Sequence, residues 1–378
     1  MLGEKNLHRE ARTKYSLRPS IQSNGKQALF VCLALLLCFI FPSGLADGAA
    51  SATLIQAHAG ASRLAPENTR AAFFAAKKVG ADGVETDIRM TGDHRLVLRH
   101  DDAIDGTSNG HGNISEMTLD ELKAYDFGSW YGREFAGEPI LTLEEFLQIA
   151  KELDFKVINL EMKPTSGDRE LFVHLLADSV AHSGLADRII VSSFDGGLLH
   201  LMKEYAPEVH VALLTVPNLS AISMLNLSKY LPAEKALADY TPEDLQNVPA
   251  AIAMALRAFG VHGDTPEDII LGVAKDIADI APLNATWRDV EAAIQDQKNL
   301  PQYVERLDFT PDYLNCHYNC LSQKLMDAMR ARNIKVNVWT PDTEFWLKNA
   351  LSFRPDGIIT NQPEMALKLL HSSAGGAE

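Results

Sequence analysis

Short apolar runs alternate along this chain with longer stretches in which apolar residues recur at helical spacing. Residues 54–57, 83–88, 156–160, 188–192, 210–214, 335–339 and 356–360 read as strands. Residues 68–79, 143–153, 169–182, 198–204, 322–332 and 343–351 read as helices between them. A strand, a helix and a further strand pair in parallel through a right-handed crossover, because only that path packs the helix back onto the sheet. There are enough such units to close an eight-stranded ring, so the expected fold class is α/β, a TIM-type (β/α)8 barrel. Boundary residues agree with this reading. Thr142 offers a capping hydroxyl ahead of Leu143-Glu144-Glu145, and Gly80 and Gly184 stand where helices should end.

Two stretches break the rhythm. Residues 102–141 carry little periodicity but contain Gly106, Gly110, Gly112, Gly128, Gly132 and Gly137, which predicts a small excursion from the barrel. Residues 216–306 contain helical runs at 248–259 and 287–295. A structureless loop of that length is rare in a compact domain, so a helical insertion is expected, either as a wall over the barrel mouth or as a separate interaction surface. The barrel itself should span 52–370, with a frayed tail from His371 onward.

The first 27 residues carry Lys5, Arg9, Arg12, Lys14, Arg18 and Lys26 against Glu4 and Glu10. An unbroken apolar run over 28–41 follows, and then the small residues Gly44 and Ala46. This pattern predicts a secretory leader cleaved after Ala46, with an uncleaved membrane anchor as the other outcome. The expected location is therefore exported, periplasmic or secreted, or else membrane-anchored through the same apolar segment. The formal net charge is −15 despite that basic lead, which argues against nucleic acid as a partner. An anionic substrate would depend on a metal or on a few placed cations. Cys32 and Cys38 belong to the leader, which leaves Cys316 and Cys320 as either a small disulfide loop or two unpaired thiols. A zinc pair with His317 would lack a second group of ligands.

The residues that carry chemistry cluster at strand ends. Glu85 and Asp87 are two apart in a strand and so share a face, where two carboxylates repel unless a cation sits between them. Glu161 ends another apolar run in the same way. Hard oxygen ligands of this kind favour Mg²⁺ or Ca²⁺. Lys163 shares the face of Glu161, as a cation for a phosphate oxygen or as a salt-bridge partner of Glu161. His58 and His100 each follow a strand, near Glu67-Asn68-Thr69 and Asp101-Asp102 respectively. Cleaving a phosphodiester needs one group to activate the nucleophile and another to protonate the leaving alkoxide, and two imidazoles suit both tasks.

The motif order H-x-G, P-E-N-T, E-x-D, H-D, P-x-L-T-L-E-E, E-x-K, S-S-F-D, V-N-V-W-T and D-G-I-I-T-N-x-P resembles the glycerophosphodiester phosphodiesterase family, over roughly residues 53–369 with the insertion between. The resemblance implies a barrel of the phosphatidylinositol phospholipase C kind. It also implies a divalent cation, Ca²⁺ or Mg²⁺, and cleavage of small glycerophosphodiesters to glycerol 3-phosphate and an alcohol. His58 and His100 match the family's acid/base residues, Glu85, Asp87 and Glu161 its metal ligands, and Lys163 its phosphate contact. Trp339 matches an aromatic that lines the substrate pocket, with plain barrel core as its other reading.

Three positions depart from the family pattern. Ala59 and Gly106 stand where it usually has arginine, and Asn361 where it often has aspartate. Losing arginine removes a bidentate phosphate donor. Arg63, in the same loop as His58, is expected to reach the phosphate instead, whereas strand alternation points Arg99 away from the face of His100. Two other functions remain open at this level. One is a lipid-type diesterase on the same barrel, acting on a lysophospholipid or sphingolipid, and the other is a non-catalytic phosphodiester-binding descendant.

Overall fold

The computed structural model describes residues 53–163, 167–215, 230–232, 234–245, 248, 286–288 and 300–374. The basic lead and leader expected over 1–46, and most of the insertion expected over 216–306, lie outside the described residues.

The strands are β1 (Leu54–Ala57), β2 (Gly83–Met90), β3 (Leu96–Leu98), β4 (Val157–Met162), β5 (Ile189–Ser193), β6 (His210–Thr215), β7 (Tyr313–His317), β8 (Lys335–Trp339) and β9 (Gly357–Thr360). All but β3 pair in parallel, and β9 returns to pair with β1 while β1 also pairs with β2, which closes an eight-stranded barrel. The TIM-type fold expected from the sequence is the fold observed. β3 runs antiparallel to the far end of β2, outside the ring.

Each of the seven strands read from the sequence is present with its ends shifted by two residues or fewer. β7 completes the ring and was not read, because Tyr313-Leu314-Asn315-Cys316-His317 contains no valine or isoleucine and carries polar residues at its inward positions. The helix Leu143–Leu153 begins with a full capping box from Thr142 and Glu145, and Gly184 takes the left-handed conformation at the end of Arg169–Ser183. Of the tail expected to fray after Leu370, residues 371–374 are helical and residues 375–378 lie outside the described residues. Helix Pro363–Ala374 continues through His371, with Ala366 fully buried.

Alternation along the strands sorts side chains into an outer shell beneath the helices and three inward layers. The lowest layer is apolar, with Val157, Ile190 and Ala212 packed against Leu54 and Tyr313. Above it lies a buried polar layer that includes Gln56, Asn159, Ser192, Asn315 and Asn337. Glu85 is in register with Asn159 of that layer, and Asp87 and Glu161 stand one inward position above them. Residues 102–141 carry a small core of their own, in which Ile104, Ile114, Leu122, Phe127 and Ile140 pack with Val97. The Asp126 carboxylate gathers their outer turn by accepting from the backbone N–H groups of Gly128 (2.8 Å), Ser129 (3.0 Å) and Gly137 (2.9 Å).

Close approach of β2 to β4 depends on Gly83, where a Cβ would lie 2.2 Å from the carbonyl oxygen of Val157. Gly83→Ala should therefore destabilise the barrel by about 1–3 kcal/mol, the usual cost of overpacking. Urea unfolding measures it, and an unchanged midpoint would mean that β2 can move away without loss.

Candidate active site

Glu85 and Asp87 occupy alternate positions of β2, and Glu161 lies in β4 level with Asp87. One oxygen from each comes within 4.8 Å of the others, and all three side chains are buried. The separation of two residues that suggested a common face is the reason they meet.

Lys163 follows directly after β4 and is buried among them. Its Nζ lies 3.0 Å from Asp87 Oδ1 and 2.7 Å from Glu161 Oε1. Of the two roles open to this lysine, the ion pair is the one seen, and it extends to Asp87 as well. The loop after β1 holds the other sides of the carboxylates. Asn68 Nδ2 donates to Asp87 Oδ2 at 2.8 Å while its Oδ1 accepts from Thr86 at 2.6 Å. The Ala59 N–H donates to Glu85 Oε2 at 3.1 Å. Ala59, Gly60 and Asn68 all have positive φ, and a Cβ on Gly60 would sit 2.7 Å from that of Ala72. Only glycine lets this loop turn so tightly over the helix Arg70–Lys78.

Three buried carboxyl groups facing one ammonium would leave two negative charges unbalanced if all three ionised, and ionisation responds to that excess. Burial and then the charge on Asp87 push the Glu85 carboxyl above its ordinary range. Burial opposes ionisation of Asp87 too, but Lys163, His100, His58 and the Asn68 bond outweigh it and hold its pKa low. Burial would lower Lys163, yet Asp87 and Glu161 hold its ammonium above the ordinary lysine value. Glu85 Oε1 is buried without a hydrogen-bond partner. An oxygen-only donor set with an orphaned carboxylate oxygen, and with three carboxyl groups sharing one ammonium, fits a hard divalent cation.

His58 and His100 flank this centre. His58 Nδ1 lies 2.8 Å from Asn361 Oδ1, and its Nε2 lies 3.7 Å from Glu85 Oε2. Burial lowers its pKa, but Glu85, Asp87 and Asn361 overcome that and leave it raised. His100 Nδ1 lies 2.6 Å from Asp101 Oδ1. Lys163 and burial pull it down, while Asp87, Asp101 and Glu161 outweigh them.

Arg89 was missed in the sequence, although it continues the alternation of Glu85 and Asp87 on β2. It donates to the His100 carbonyl from Nε (2.8 Å) and Nη2 (2.6 Å), which anchors the second histidine to the strand bearing the carboxylates. Asn68 stood within a motif, but its contact with Asp87 was not anticipated. Arg99 points away from His100 as alternation predicts, donating to Glu67 and lying over Phe127. Arg63 is exposed and rests against Gln362, whose amide oxygen accepts from Nη1 (3.2 Å) and Nε (3.1 Å) when turned towards it.

Trp339 ends β8 half-buried, donating from Nε1 to the Asn315 carbonyl at 3.1 Å. His317 and Phe194 meet its ring edge-on, with centroids at 4.8 Å and 5.6 Å, so the ends of β5, β7 and β8 build one aromatic wall. Burial pushes the His317 pKa down to about 4, so this imidazole is neutral at physiological pH. No disulfide links Cys316 and Cys320. Nor do they form part of a metal-type cluster among the described residues. Cys316 points into the core beneath the helices, which removes it from any surface loop that a disulfide or zinc ion could staple.

Carboxylates and imidazoles gathered where parallel barrel strands end define this molecule as a barrel of the enzyme type. The sequence profile of the Glycerophosphoryl diester phosphodiesterase family matches residues 58–261, more than half of the chain, and the chain belongs to that family. It is 39% identical over 162 residues to a glycerophosphodiester phosphodiesterase of Caldanaerobacter subterraneus subsp. tengcongensis, covering 43% of this chain and 66% of that protein. It is 34% identical over 164 residues to one from Bacillus altitudinis, covering 43% and 67%. The chain thus spans about two thirds of the length of these relatives, whose names describe phosphoric diester hydrolases.

Solved structures share the fold. An Oleispira antarctica phosphodiesterase in complex with the product sn-glycerol-3-phosphate aligns with a TM-score of 0.59 at 22% identity, over 84% of this chain and 96% of that one. A glycerophosphodiester phosphodiesterase from Parabacteroides distasonis aligns at 0.53 and 21%, over 86% and 99%.

The charge balance around Lys163 generates a direct test. Lys163→Met should destabilise the chain by about 3–5 kcal/mol, the cost of stranding buried carboxylates. Chemical denaturation in a chelating buffer measures this, and a loss below 1 kcal/mol would mean that the carboxylates do not rely on the lysine.

Proposed function

We propose that this chain hydrolyses glycerophosphodiesters to glycerol 3-phosphate and an alcohol. In this reading His58 and His100 move the protons, and Glu85, Asp87 and Glu161 hold a divalent cation, Ca²⁺ or Mg²⁺. The observation that carries it is the pairing of an unbalanced, buried, oxygen-only acidic centre with two imidazoles, each tied at Nδ1 by a neighbouring oxygen. Family membership agrees with it.

The cation, when bound, supplies a Lewis acid for a phosphoryl oxygen. The remaining work falls to side chains of this chain. One imidazole takes the proton of the attacking hydroxyl group, from water or from the substrate itself. The other gives a proton to the alkoxide as its bond to phosphorus breaks. Lys163 stabilises the carboxylates and adds positive charge beside the phosphoryl group. Trp339, with Phe194 and His317, forms an apolar wall suited to the departing alcohol, and Arg63, in the loop after β1, would swing from Gln362 to meet the phosphate. Export through the leader in residues 1–46, or attachment to a membrane through its apolar segment, belongs to the same proposal. No helix among the described residues is long and apolar enough to cross a membrane.

Chelation should abolish hydrolysis of glycerophosphocholine, and Ca²⁺ or Mg²⁺ should restore it. Glu85→Gln or Asp87→Asn should weaken binding of the cation in calorimetry, and unchanged affinity in both would remove the metal assignment. His58→Ala and His100→Ala should each lower kcat by about 10²-fold or more, the scale of a positioned acid or base. A change confined to KM would make that histidine a binding residue. Arg63→Ala should weaken substrate binding by about 1.5–3 kcal/mol, the scale of a hydrogen bond to a charged group. Turnover of a lysophospholipid well above that of glycerophosphocholine would replace the small diester with a lipid as substrate.

A further inference from the structure

The two imidazoles are tied by different chemistry. His100 Nδ1 faces a carboxylate, whereas His58 Nδ1 faces the amide of Asn361. An amide can turn either its oxygen or its NH₂ towards an imidazole, so whatever fixes the amide also fixes the tautomer. Asp342, in the loop after β8, does this. Its Oδ2 accepts from Asn361 Nδ2 at 2.5 Å, and its Oδ1 accepts from the Asn361 backbone N–H at 2.9 Å. The Thr360 hydroxyl lies 2.9 Å from the same Oδ1. Both Asp342 oxygens act as acceptors, so the NH₂ end of Asn361 must face Asp342 and the oxygen end must face the barrel mouth. There Oδ1 also accepts from Ser62 Oγ at 2.8 Å, which presents one acceptor to two donors. His58 Nδ1 must therefore carry the hydrogen. Its Nε2, the nitrogen turned towards Glu85, keeps the lone pair whenever the ring is neutral.

We propose that Asp342 and Asn361 are positioning residues that hold His58 as the Nδ1–H tautomer, so that Nε2 is the proton acceptor of the reaction. This rests on the reading of His58 as a proton carrier. Neither residue touches the reacting atoms, and both act through the imidazole. The arrangement also accounts for Asn361 itself. An aspartate there would set two carboxylates face to face, whereas asparagine gives Asp342 a donor and still offers His58 an acceptor.

The pair can be inverted by isosteric changes. In Asp342→Asn the new amide keeps its oxygen on the Asn361 N–H and turns its NH₂ against that of Asn361. The Asn361 side chain then rotates, gives its own oxygen to residue 342 and presents NH₂ to His58 Nδ1, which becomes an acceptor. The imidazole hydrogen moves to Nε2 and the base is lost. In the double variant Asp342→Asn/Asn361→Asp, the residue 342 amide donates to the new carboxylate, whose other oxygen again accepts from His58 and Ser62. Every donor meets an acceptor once more.

The experiment is ¹⁵N NMR of the histidine-labelled full chain at a pH where His58 is neutral, together with kcat and KM for glycerophosphocholine. The parent should show His58 as Nδ1–H. Asp342→Asn should show Nε2–H, with kcat lower by about 10²-fold at little-changed KM, the scale of a lost base. The double variant should return Nδ1–H and most of kcat. Asn361→Leu, which removes the acceptor without adding charge, should give mixed tautomers. The proposal is overturned by an Nε2–H parent, by a tautomer that does not change in Asp342→Asn, or by pure Nδ1–H in Asn361→Leu. A double variant that regains Nδ1–H but not kcat overturns the link to the reaction. Should the parent hydrolyse no glycerophosphodiester with any divalent ion, the functional reading fails, and the NMR result alone still decides the positioning role.

Discussion

Three carboxylates buried around one lysine make a charge imbalance on which most of the other features of the barrel mouth depend. Without Lys163, Asp87 and Glu161 would be stranded in a low-dielectric interior, a cost of several kcal/mol per charge. With it, the carboxyl groups still outnumber the ammonium by two, and that excess shapes the surroundings. Glu85 resists ionisation, both imidazoles bind protons more readily, and a backbone N–H and an asparagine meet one oxygen each of Glu85 and Asp87. Such a cluster could hold a cation.

The rest of the barrel supports that centre in layers. An apolar floor seals the bottom, and a layer of amides and hydroxyls separates it from the acids. Asn337 donates to Asn315 within that layer at 3.0 Å, and a Cβ on Gly357 would come within 2.4 Å of Asn337 Oδ1. Amides in the middle of the barrel give the charged layer a polar base in place of hydrocarbon, which softens the cost of burying it. On one side of the mouth the wall is aromatic, with Trp339 between Phe194 and the neutral imidazole of His317, while the carboxylates lie on β2 and β4. Charge and apolar surface are thus separated across a single opening, as a substrate with an anionic centre and a neutral arm requires.

Much of this was legible in the chain because it follows from local period. A spacing of two in a strand puts Glu85, Asp87 and Arg89 on one face wherever that strand goes. Capping by Thr142 and termination at Gly184 likewise need no tertiary information. β7 was illegible for the opposite reason. Its inward positions carry Asn315 and His317, and a strand that faces a polar interior loses the apolar signature by which strands are read.

The sequence by itself determined the alternating strands and helices, the faces on which the acids lie, and the residue types able to bind a cation and move protons. Tertiary structure alone decided which of these meet. His58 and Asn361 are 303 positions apart, and they touch only because β9 closes the ring against β1. Lys163 could have met a ligand or its neighbours, and the parallel register of β2 with β4 gave it two carboxylates at once. Periodicity is a property of a few consecutive residues and can be read from them. Which strand ends share a mouth, and which hydrogen-bonding end of Asn361 faces His58, depends on closure of the whole barrel, to which no single segment holds the key.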